Sequence, residues 1–472
     1  MSYWAQRAWL PDGIRQRVTF EVQDGVFTAI TPDTDPGAAH RLPGLVLPGF
    51  ANDHSHAFHR ALRGRTHADG GTFWTWRKAM YSVAAQLDPD SYYRLARATY
   101  AEMVLAGYTS VSEFHYLHHG PGGTPYDDPN AMGHALIRAA QDAGISITLL
   151  DTCYLHGGLG PDGYLELDEV QKRFADGDVT RWAGRVSQLN PDDGVSIGTA
   201  IHSVRALSPG DLKTFAFQAP HLLEGTNACH VHLSEQPAEN EATLAHFGRT
   251  PTQLLADAGV IDANLTAVHA THLTSDDIAL LGGAGATACF CPTTERDLAD
   301  GIGPAPELVG AGARLSLGSD QHAVIDPFEE IRGLEMNDRL RSLRRGRFSP
   351  EFLLSSGLHG MTNRGWQRSG PLQPQILANL VAVRTDSPRT AGCTDEQIIY
   401  SATAADVDTV VVRGEVKVSD GDHVLGDVGK LLRKRSTRCG DDAVTRRRWR
   451  WRSRRAEAVS TGSVPRALWI AS

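Results

Sequence analysis

The chain has 472 residues, of which 41% are hydrophobic and 21% are charged, and its formal net charge is −9. Such a length buries a large core, so folding does not require disulfides or a metal, and six cysteines favour a reducing compartment. The negative charge argues against nucleic acid as the main partner. No apolar run suits a signal peptide or a membrane span, so we expect a cytoplasmic protein without a membrane partner.

The first predicted barrel element is a short apolar run at residues 42–47, bounded by Pro and Gly, which is typical of a buried strand. His54 and His56 follow it, and extended backbone places side chains two residues apart on the same face. Two imidazoles at the end of a buried strand can begin a metal site. A chance pair in a loop is the alternative in a chain with 20 histidines.

Seven further strand-like runs follow, each leading into a helix-like segment, at residues 110–115, 146–153, 195–202, 228–232, 265–269, 287–291 and 314–320. Eight strands alternating with helices predict an α/β fold, a closed (β/α)8 TIM-like barrel with its active site at the C-terminal strand ends. An open doubly wound sheet is the alternative. It usually carries a Gly-rich phosphate turn after its first strand, and this chain lacks one.

Both ends of the chain alternate polar and apolar residues, which predicts short antiparallel strands that form one small β-sandwich domain. The predicted domains are residues 1–46 and 369–430 for the two parts of this domain and 47–368 for the metal-dependent barrel. Residues 431–472 form a basic tail. We interpret the tail as a solvated, partly disordered extension, with an arm for nucleic acid or an anionic surface as the alternative.

Five ionisable side chains stand at predicted strand ends: His54, His56, His232, His269 and Asp320. Imidazoles with a carboxylate suit a borderline divalent metal, most often zinc, with one position left for water. Lys172 and Lys213 lie in helix-like segments, so no strand offers a bridging lysine and we expect one ion per chain. Glu235, three residues after His232, could reach both the water and a leaving group; a helix N-terminal charge is the alternative.

The motif that runs from Pro48 to His56, with His-Leu-Ser-Glu, His-Ala-Thr-His and Gly-Ser-Asp downstream, resembles the deaminase branch of the amidohydrolase superfamily. Longer motifs that begin at His54, Phe73, Glu113 and Ile201 are similar to those of formimidoylglutamate deiminases. The resemblance covers roughly residues 40–430. It implies an amidohydrolase-type barrel that converts N-formimidoyl-L-glutamate to N-formyl-L-glutamate and ammonia in histidine degradation.

The resemblance also implies roles for individual residues. Zinc would be held by His54, His56, His232 and Asp320, and hydroxide generated there would attack the formimidoyl carbon. Asp320 would accept the water's proton, Glu235 would relay one to the departing nitrogen, and His269 would hold the tetrahedral adduct.

For a substrate with two carboxylates the resemblance implies contacts from His59, Arg77, Tyr116, His202 and Arg205. Taken singly, Arg77 could stack beside Trp74 and Trp76, and Arg205 could be a helix-start charge. This chain departs from the family at two positions, since His59 stands where Gln is typical and Asn379 where Asp is typical.

Two other functions compete with this hypothesis. A deaminase of a purine, pterin or triazine ring would use aromatic and amide contacts, whereas two arginines favour a dicarboxylate. A metal-binding or nucleic-acid-binding protein on an inactive barrel would not need Glu235 and His269 beside a full ligand set. Many proteins on this barrel are dimers, so the resemblance also allows a homodimer.

Overall fold

The computed structural model describes residues 1–67, 71–222, 228–358 and 370–433. The strands are β1 (Ser2–Leu10), β2 (Gly13–Gln23), β3 (Val26–Thr31), β4 (His40–Pro48), β5 (Phe50–Ser55), β6 (Tyr108–His115), β7 (Ser146–Cys153), β8 (Gly158–Gly160), β9 (Gly163–Leu165), β10 (Val195–Ile201), β11 (Cys229–Leu233), β12 (Leu265–His269), β13 (Thr287–Phe290), β14 (Arg314–Leu317), β15 (Leu380–Val383), β16 (Val407–Val412), β17 (Glu415–Ser419) and β18 (Asp422–His423).

The α-helices are α1 (Phe73–Ala84), α2 (Pro89–Leu105), α3 (Ala131–Ala143), α4 (Val179–Val186), α5 (Pro209–Gln218), α6 (Pro237–Phe247), α7 (Pro251–Asp257), α8 (Ser275–Gly283), α9 (Pro292–Leu298), α10 (Ala305–Ala311), α11 (Pro327–Ser342) and α12 (Pro350–Ser356). Many of them begin with a proline that follows a capping side chain. Asp88, Ser208 and Thr250, for example, each accept a hydrogen bond from the backbone N–H three residues later. Such caps satisfy amide groups that the first helical turn leaves free, so the sequence sets where these helices start.

Eight parallel strands form the barrel, in the order β14-β13-β12-β11-β10-β7-β6-β5. The first and last strands meet where Asp320 donates its backbone N–H to the carbonyl of His54 at 3.0 Å, and His56 donates to the carbonyl of Asp320 at 3.1 Å. The predicted (β/α)8 architecture is therefore confirmed. Closure of the barrel brings residues more than 260 positions apart in the sequence into direct backbone contact.

The two termini build one mixed sheet beside the barrel, in the order β18-β17-β16-β15-β4-β1-β2-β3. Strand β4 pairs in parallel with β1 and antiparallel with β15, so it joins the two ends of the chain. Apolar side chains such as Phe20, Val46 and Leu380 form the core of this sheet. One mixed sheet made from both termini is thus present. Strands β1 and β4 pair in parallel, whereas the sequence predicts antiparallel strands, and the domain bounds stay predictions.

One strand differs from the prediction. The apolar run 42–47 lies in β4 of the terminal sheet, and the first barrel strand is β5, which carries the polar sequence from Asn52 to Ser55. The hydropathy pattern does not reveal β5 as a buried strand, because its polar side chains form hydrogen bonds inside the barrel. Asn52 donates to Ser319 Oγ at 2.7 Å, and Asp53 accepts from Ser316 Oγ at 2.6 Å.

Asn379 lies where the terminal sheet meets the barrel, away from the C-terminal strand ends. Its side-chain oxygen accepts the backbone N–H of Arg413 at 2.7 Å, and its carbonyl accepts that of Gly49 at 3.1 Å. Its contacts here are structural. The basic tail beyond residue 433 lies outside the described residues. Among the helices that the structure describes, none has the length and apolar character needed to cross a bilayer.

Candidate metal centre and active site

Three buried histidines converge at the C-terminal end of the barrel. His54 lies in β5, His56 follows that strand, and His232 lies in β11. Nε2 of His232 is 3.2 Å from Nε2 of His54 and 3.3 Å from Nε2 of His56. Ring nitrogens in such close mutual contact have the arrangement expected of ligands to one ion.

Asp320 completes this set from just beyond β14. Its Oδ1 atom lies 3.4 Å from Nε2 of His54 and 3.4 Å from Nε2 of His56. The same residue supplies the backbone hydrogen bonds that close the barrel, so its carboxylate is held against His54 and His56. Burial opposes ionisation, but hydrogen bonding to His54 and the neighbouring imidazoles hold the pKa of Asp320 well below its usual range.

The tautomers of His56 and His232 leave their Nε2 atoms free to bind a cation. Nδ1 of His56 lies 3.0 Å from the carbonyl oxygen of Phe114, and Nδ1 of His232 lies 2.9 Å from that of His202. Because a carbonyl only accepts, Nδ1 carries the proton and Nε2 keeps a lone pair. Burial lowers the pKa of His54, His56 and His232, so the rings are neutral. Neutral imidazoles with facing lone pairs beside a carboxylate fit a zinc ion.

Left-handed backbone occurs at three strand ends around this centre. The φ angle is 49° at Ser234 after β11, 68° at His269 at the end of β12 and 41° at Asp320 after β14. Residues other than Gly rarely adopt this conformation, and it persists where surrounding contacts impose it, as at functional sites. Here it redirects the chain at the positions where the strands deliver their ionisable side chains.

His269 and Glu235 form a second buried group beside the histidines. Nε2 of His269 lies 3.7 Å from Oε1 of Glu235 and 3.8 Å from Oδ2 of Asp320, and Nδ1 lies 3.5 Å from Oε1 of Glu295. Burial alone would lower the pKa of His269, but these carboxylates raise it well above its usual value. Burial, with Asp320 nearby, raises the pKa of Glu235. Raised pKa values favour the protonated form of both groups, which suits a pair that holds and passes protons.

A cavity with an empty volume of about 540 Å³ opens onto these groups. The wall next to the reactive groups contains His56, His232, Glu235, His269 and Asp320. The same lining contains the five predicted substrate residues, which are His59, Arg77, Tyr116, His202 and Arg205. The structure therefore brings every predicted site residue to one cavity, with His54 behind its wall, while their roles stay predictions.

Two arginines give the cavity its positive charge. Arg77 in α1 donates from Nε and from an Nη atom to the hydroxyl of Tyr81, at 3.0 and 2.7 Å. Arg205 after β10 donates from Nε to Glu239 at 3.2 Å. A guanidinium has five N–H donors, so each contact fixes the side chain and leaves other donors for a ligand. The two partners come from different elements, which places the cations on different parts of the wall.

His59 and Tyr116 touch each other inside the cavity. Nε2 of His59 lies 3.1 Å from the hydroxyl of Tyr116, and both side chains are buried. Burial lowers the pKa of His59 to about 3, so its ring is neutral. His202 lies nearby, and its carbonyl accepts the hydrogen bond from His232 described above.

Sequence reasoning missed several residues of the site. Gln171 donates to the hydroxyls of Tyr81 and Tyr154 at 3.1 and 3.0 Å and so links both tyrosines of the cavity wall. Glu295 contacts His269 from α9. Of these residues, Tyr154 alone directly follows a predicted strand, so its position at a strand end could have indicated a role in the site. The others lie on helices or loops, where polar side chains are usual.

Comparison with known proteins defines the class. Residues 45–417 match the model of the amidohydrolase family. A formimidoylglutamate deiminase of Pseudomonas aeruginosa is 36% identical over 89% of this chain and 95% of its own length, and an 8-oxoguanine deaminase of the same organism is 29% identical over 80% and 83%. An amidohydrolase of Brucella melitensis superposes with a TM-score of 0.83, at 30% identity over 93% of this chain and 99% of that chain.

A zinc-bound adenosine deaminase of Xanthomonas campestris shares the fold, with a TM-score of 0.78 at 21% identity over 94% of this chain and 98% of its own. The barrel and the terminal sheet therefore recur together in known structures. The chain belongs to the amidohydrolase family, and it is a hydrolase whose similarity to formimidoylglutamate deiminase extends along nearly its whole length.

Proposed function

We propose that the protein hydrolyses N-formimidoyl-L-glutamate to N-formyl-L-glutamate and ammonia. The observation that carries this proposal is the pair Arg77 and Arg205 in one cavity with the metal-ligand group. Guanidinium groups bind carboxylates through paired hydrogen bonds, and the proposed substrate has two carboxylates. The 36% identical relative named formimidoylglutamate deiminase supports the same substrate.

One divalent metal ion per chain, best satisfied by zinc, would be held by His54, His56, His232 and Asp320. The support is the donor set itself, three neutral imidazoles and a carboxylate, together with the zinc-bound adenosine deaminase of similar fold. When bound there, zinc would polarise the substrate and lower the pKa of a water molecule to about 7.

The side chains around the ion supply the proton transfers. Water adds to the formimidoyl carbon, the bond from that carbon to the terminal nitrogen breaks, and both water protons end on the nitrogen that leaves as ammonia. Two proton transfers are therefore needed. Asp320 takes one proton and Glu235 the other, and the charged His269 stabilises the negative charge that develops at the tetrahedral stage.

The part of the cavity lining that contains the two arginines would hold the glutamate part of the substrate. Arg77 and Arg205 each face the carboxylates with the donors that Tyr81 and Glu239 leave free. Tyr116 and His59 add a hydroxyl and a neutral ring, and His202 stands between them and His232. This distribution suits an extended dicarboxylate with its formimidoyl end at the metal.

We further propose that this step belongs to histidine degradation in the cytoplasm. Partners would then be limited to the small dicarboxylate substrate and a second copy of the chain, with no part for nucleic acid or membranes. The overall negative charge supports the absence of a nucleic-acid partner.

Deamination of a purine, pterin or triazine ring is the second candidate. It is favoured by the aromatic side chains of the cavity, which include Trp76, Tyr116, Tyr154 and Phe174, because aromatic faces stack on flat rings. An 8-oxoguanine deaminase is among the relatives. Against it, Arg77 donates to the hydroxyl of Tyr81 and not to a carboxylate among the described residues, so a neutral ring would leave its charge without a counterion.

The test is ammonia release by the zinc-loaded protein from N-formimidoyl-L-glutamate, 8-oxoguanine and adenosine in parallel. We expect release only from the first, and loss of about 10²- to 10⁴-fold in Glu235→Gln because a proton carrier is removed. Glu241→Gln, an exposed residue of the following helix α6, is the matched control and should keep full activity. Release only from a ring substrate would replace this proposal by the second candidate, and release from none would reject both.

A further inference from the structure

Asp300, in the loop after α9, is a buried carboxyl group that the proposed reaction does not use. Only 3% of the residue is exposed. Its Oδ1 atom accepts a hydrogen bond from the side-chain amide of Gln236, the residue next to Glu235. Its Oδ2 atom is buried and has no hydrogen-bond partner among the described residues. A buried carboxylate oxygen without a partner is costly, so the orphaned atom calls for an explanation.

The backbone fixes the position of this carboxyl group. The N–H of Asp300 donates to the carbonyl of Glu295 at 2.9 Å, and its carbonyl lies 2.7 Å from Nε2 of His272. The side chain is thereby held beside the proton-carrying pair. One oxygen of Asp300, one oxygen of Glu235 and a ring nitrogen of His269 all lie within 4.8 Å of one another.

Two carboxyl groups this close cannot both be ionised in a buried site, because like charges repel and neither is solvated. An ionised Asp300 could not pair with His269 instead. The two ring nitrogens of His269 already face Glu235 and Asp320 on one side and Glu295 on the other. Burial, with Glu235 and Glu295 adding to it and His269 opposing it, raises the pKa of Asp300 to about 9.

We propose that Asp300 is a positioning residue, a neutral carboxylic acid whose O–H donates a hydrogen bond to the Glu235 carboxylate. The other oxygen of Asp300 accepts a hydrogen bond from Gln236, the residue after Glu235. The side chain of Asp300 thus fixes the orientation of Glu235 both through the Glu235 carboxylate and through Gln236. The role in catalysis rests on the proposed function, in which Glu235 carries a proton. The neutral state of Asp300 does not rest on it.

Kinetics of two substitutions test the positioning role. Asn keeps a neutral donor and an acceptor, whereas Ala removes both. We expect Asp300→Asn to keep kcat within about threefold and Asp300→Ala to lose about 10- to 100-fold in kcat with little change in KM, since Asp300 does not line the cavity. Asp276→Asn, an exposed residue at the start of α8, is the control and should match the unsubstituted protein. Equal loss in Asn and Ala variants, or no loss in Ala, would overturn the proposal.

Thermal unfolding against pH tests the neutral state without any substrate. The pKa of Asp300 is raised on folding, so the folded protein must retain a proton that the unfolded chain releases above about pH 4. The free-energy cost of keeping this proton in the folded state grows with pH up to about 9 and then levels off. Asn does not titrate. The difference between the Tm of Asp300→Asn and the Tm of the zinc-loaded parent should therefore increase from pH 5 to pH 9.

Glu235, Glu295, Asp320, His269 and His272 face Asp300 and are present in both proteins, so the comparison cancels their own titration to first order. A Tm difference that stays flat or narrows with rising pH would show an ionised Asp300 and overturn the proposal. Absence of ammonia release from N-formimidoyl-L-glutamate would contradict the proposed function. The pH test would still decide whether Asp300 is neutral.

Discussion

At the scale of single residues, burial fixes the charge of each histidine around the proposed metal centre. His54, His56 and His232 are shielded from water and are neutral, as metal ligands must be. His269 is equally buried, yet its carboxylate neighbours make it a cation. One residue type therefore serves two purposes within a few ångströms because the neighbours differ.

His59 stands where Gln is typical of the family, and this difference leads to a prediction about substrate binding. His59→Gln should keep kcat and change KM by less than about tenfold, because the amide offers the same donor and acceptor to Tyr116. His59→Leu should raise KM for N-formimidoyl-L-glutamate by about 10-fold or more, since it leaves the buried hydroxyl without its partner. Steady-state kinetics of ammonia release measures both.

The same measurement across pH gives a control. With its pKa lowered to about 3, the His59 ring is neutral throughout pH 6 to 9. The KM ratio between His59→Gln and the parent should thus be constant over that range. A ratio that changes near pH 6.5, where free histidine titrates, would contradict the neutral ring.

At the scale of elements, helix α4 is joined to the barrel by a buried ion-pair network. Arg185 donates from its two Nη atoms to both oxygens of Asp151 at 2.8 Å, and also to Asp176. His115 and His118 lie next to Asp151, close enough to form a metal-ligand group. Because the guanidinium cation already occupies both oxygens of Asp151, we interpret this cluster as structural.

Removing the cation should destabilise the fold strongly. Arg185→Leu leaves Asp151 and Asp176 buried without their partner, which costs about 3 to 5 kcal/mol in the free energy of unfolding at neutral pH. Urea denaturation measures the loss. Arg181→Leu, one turn earlier in α4, breaks only the exposed pair with Asp178 and should cost less than about 1 kcal/mol.

The pH dependence of this loss has a definite sign. Burial by itself would raise the pKa of both Asp151 and Asp176. Arg185 nevertheless lowers the pKa of Asp151, and His119 together with Arg185 lowers that of Asp176. A lowered pKa contributes stability above the usual carboxyl pKa of about 4, and this stability disappears as pH falls. The deficit of Arg185→Leu should therefore shrink as pH falls below about 4, towards the lowered pKa values of Asp151 and Asp176. A deficit that grows towards low pH would refute the ion-pair assignment.

At the scale of the whole molecule, the proposed metal site lies where the barrel closes. Its ligands come from the first, fifth and last strands of the barrel, and backbone hydrogen bonds of Asp320 join the ends of the sheet at the same place. A bound ion would therefore connect segments that are far apart in the sequence. Stability and metal binding should be coupled.

Chelation tests this coupling. Treatment with a strong chelator should lower Tm, and added zinc should restore it, because a ligand at about 1,000 times its Kd stabilises the folded state by about 4 kcal/mol. Differential scanning calorimetry with metal analysis measures both effects. In His54→Ala, which lacks one ligand, the chelator should have little effect on Tm. An equal shift in that variant would place the stabilising ion elsewhere.

The sequence alone determined the barrel, the sheet made from both termini and the predicted site residues that meet at the cavity. These features leave local signals. Strand-like runs alternate with helical segments, ionisable residues stand at strand ends, and the motifs around His54 and Glu113 are similar to those of one enzyme family. Local periodicity and motif spacing are properties of neighbouring residues, so they can be seen without the fold.

Tertiary structure decided the rest, because it depends on contacts between distant residues. The apolar run 42–47 belongs to the terminal sheet since β1 and β15 pair with it, and the polar β5 enters the barrel since Ser316 and Ser319 satisfy its side chains. Glu295 joins the site because it contacts His269 at the end of β12, and Asp300 joins it because its backbone N–H donates to the carbonyl of Glu295. Their distances, burial and charge states arise from closure of the barrel, which no local pattern encodes.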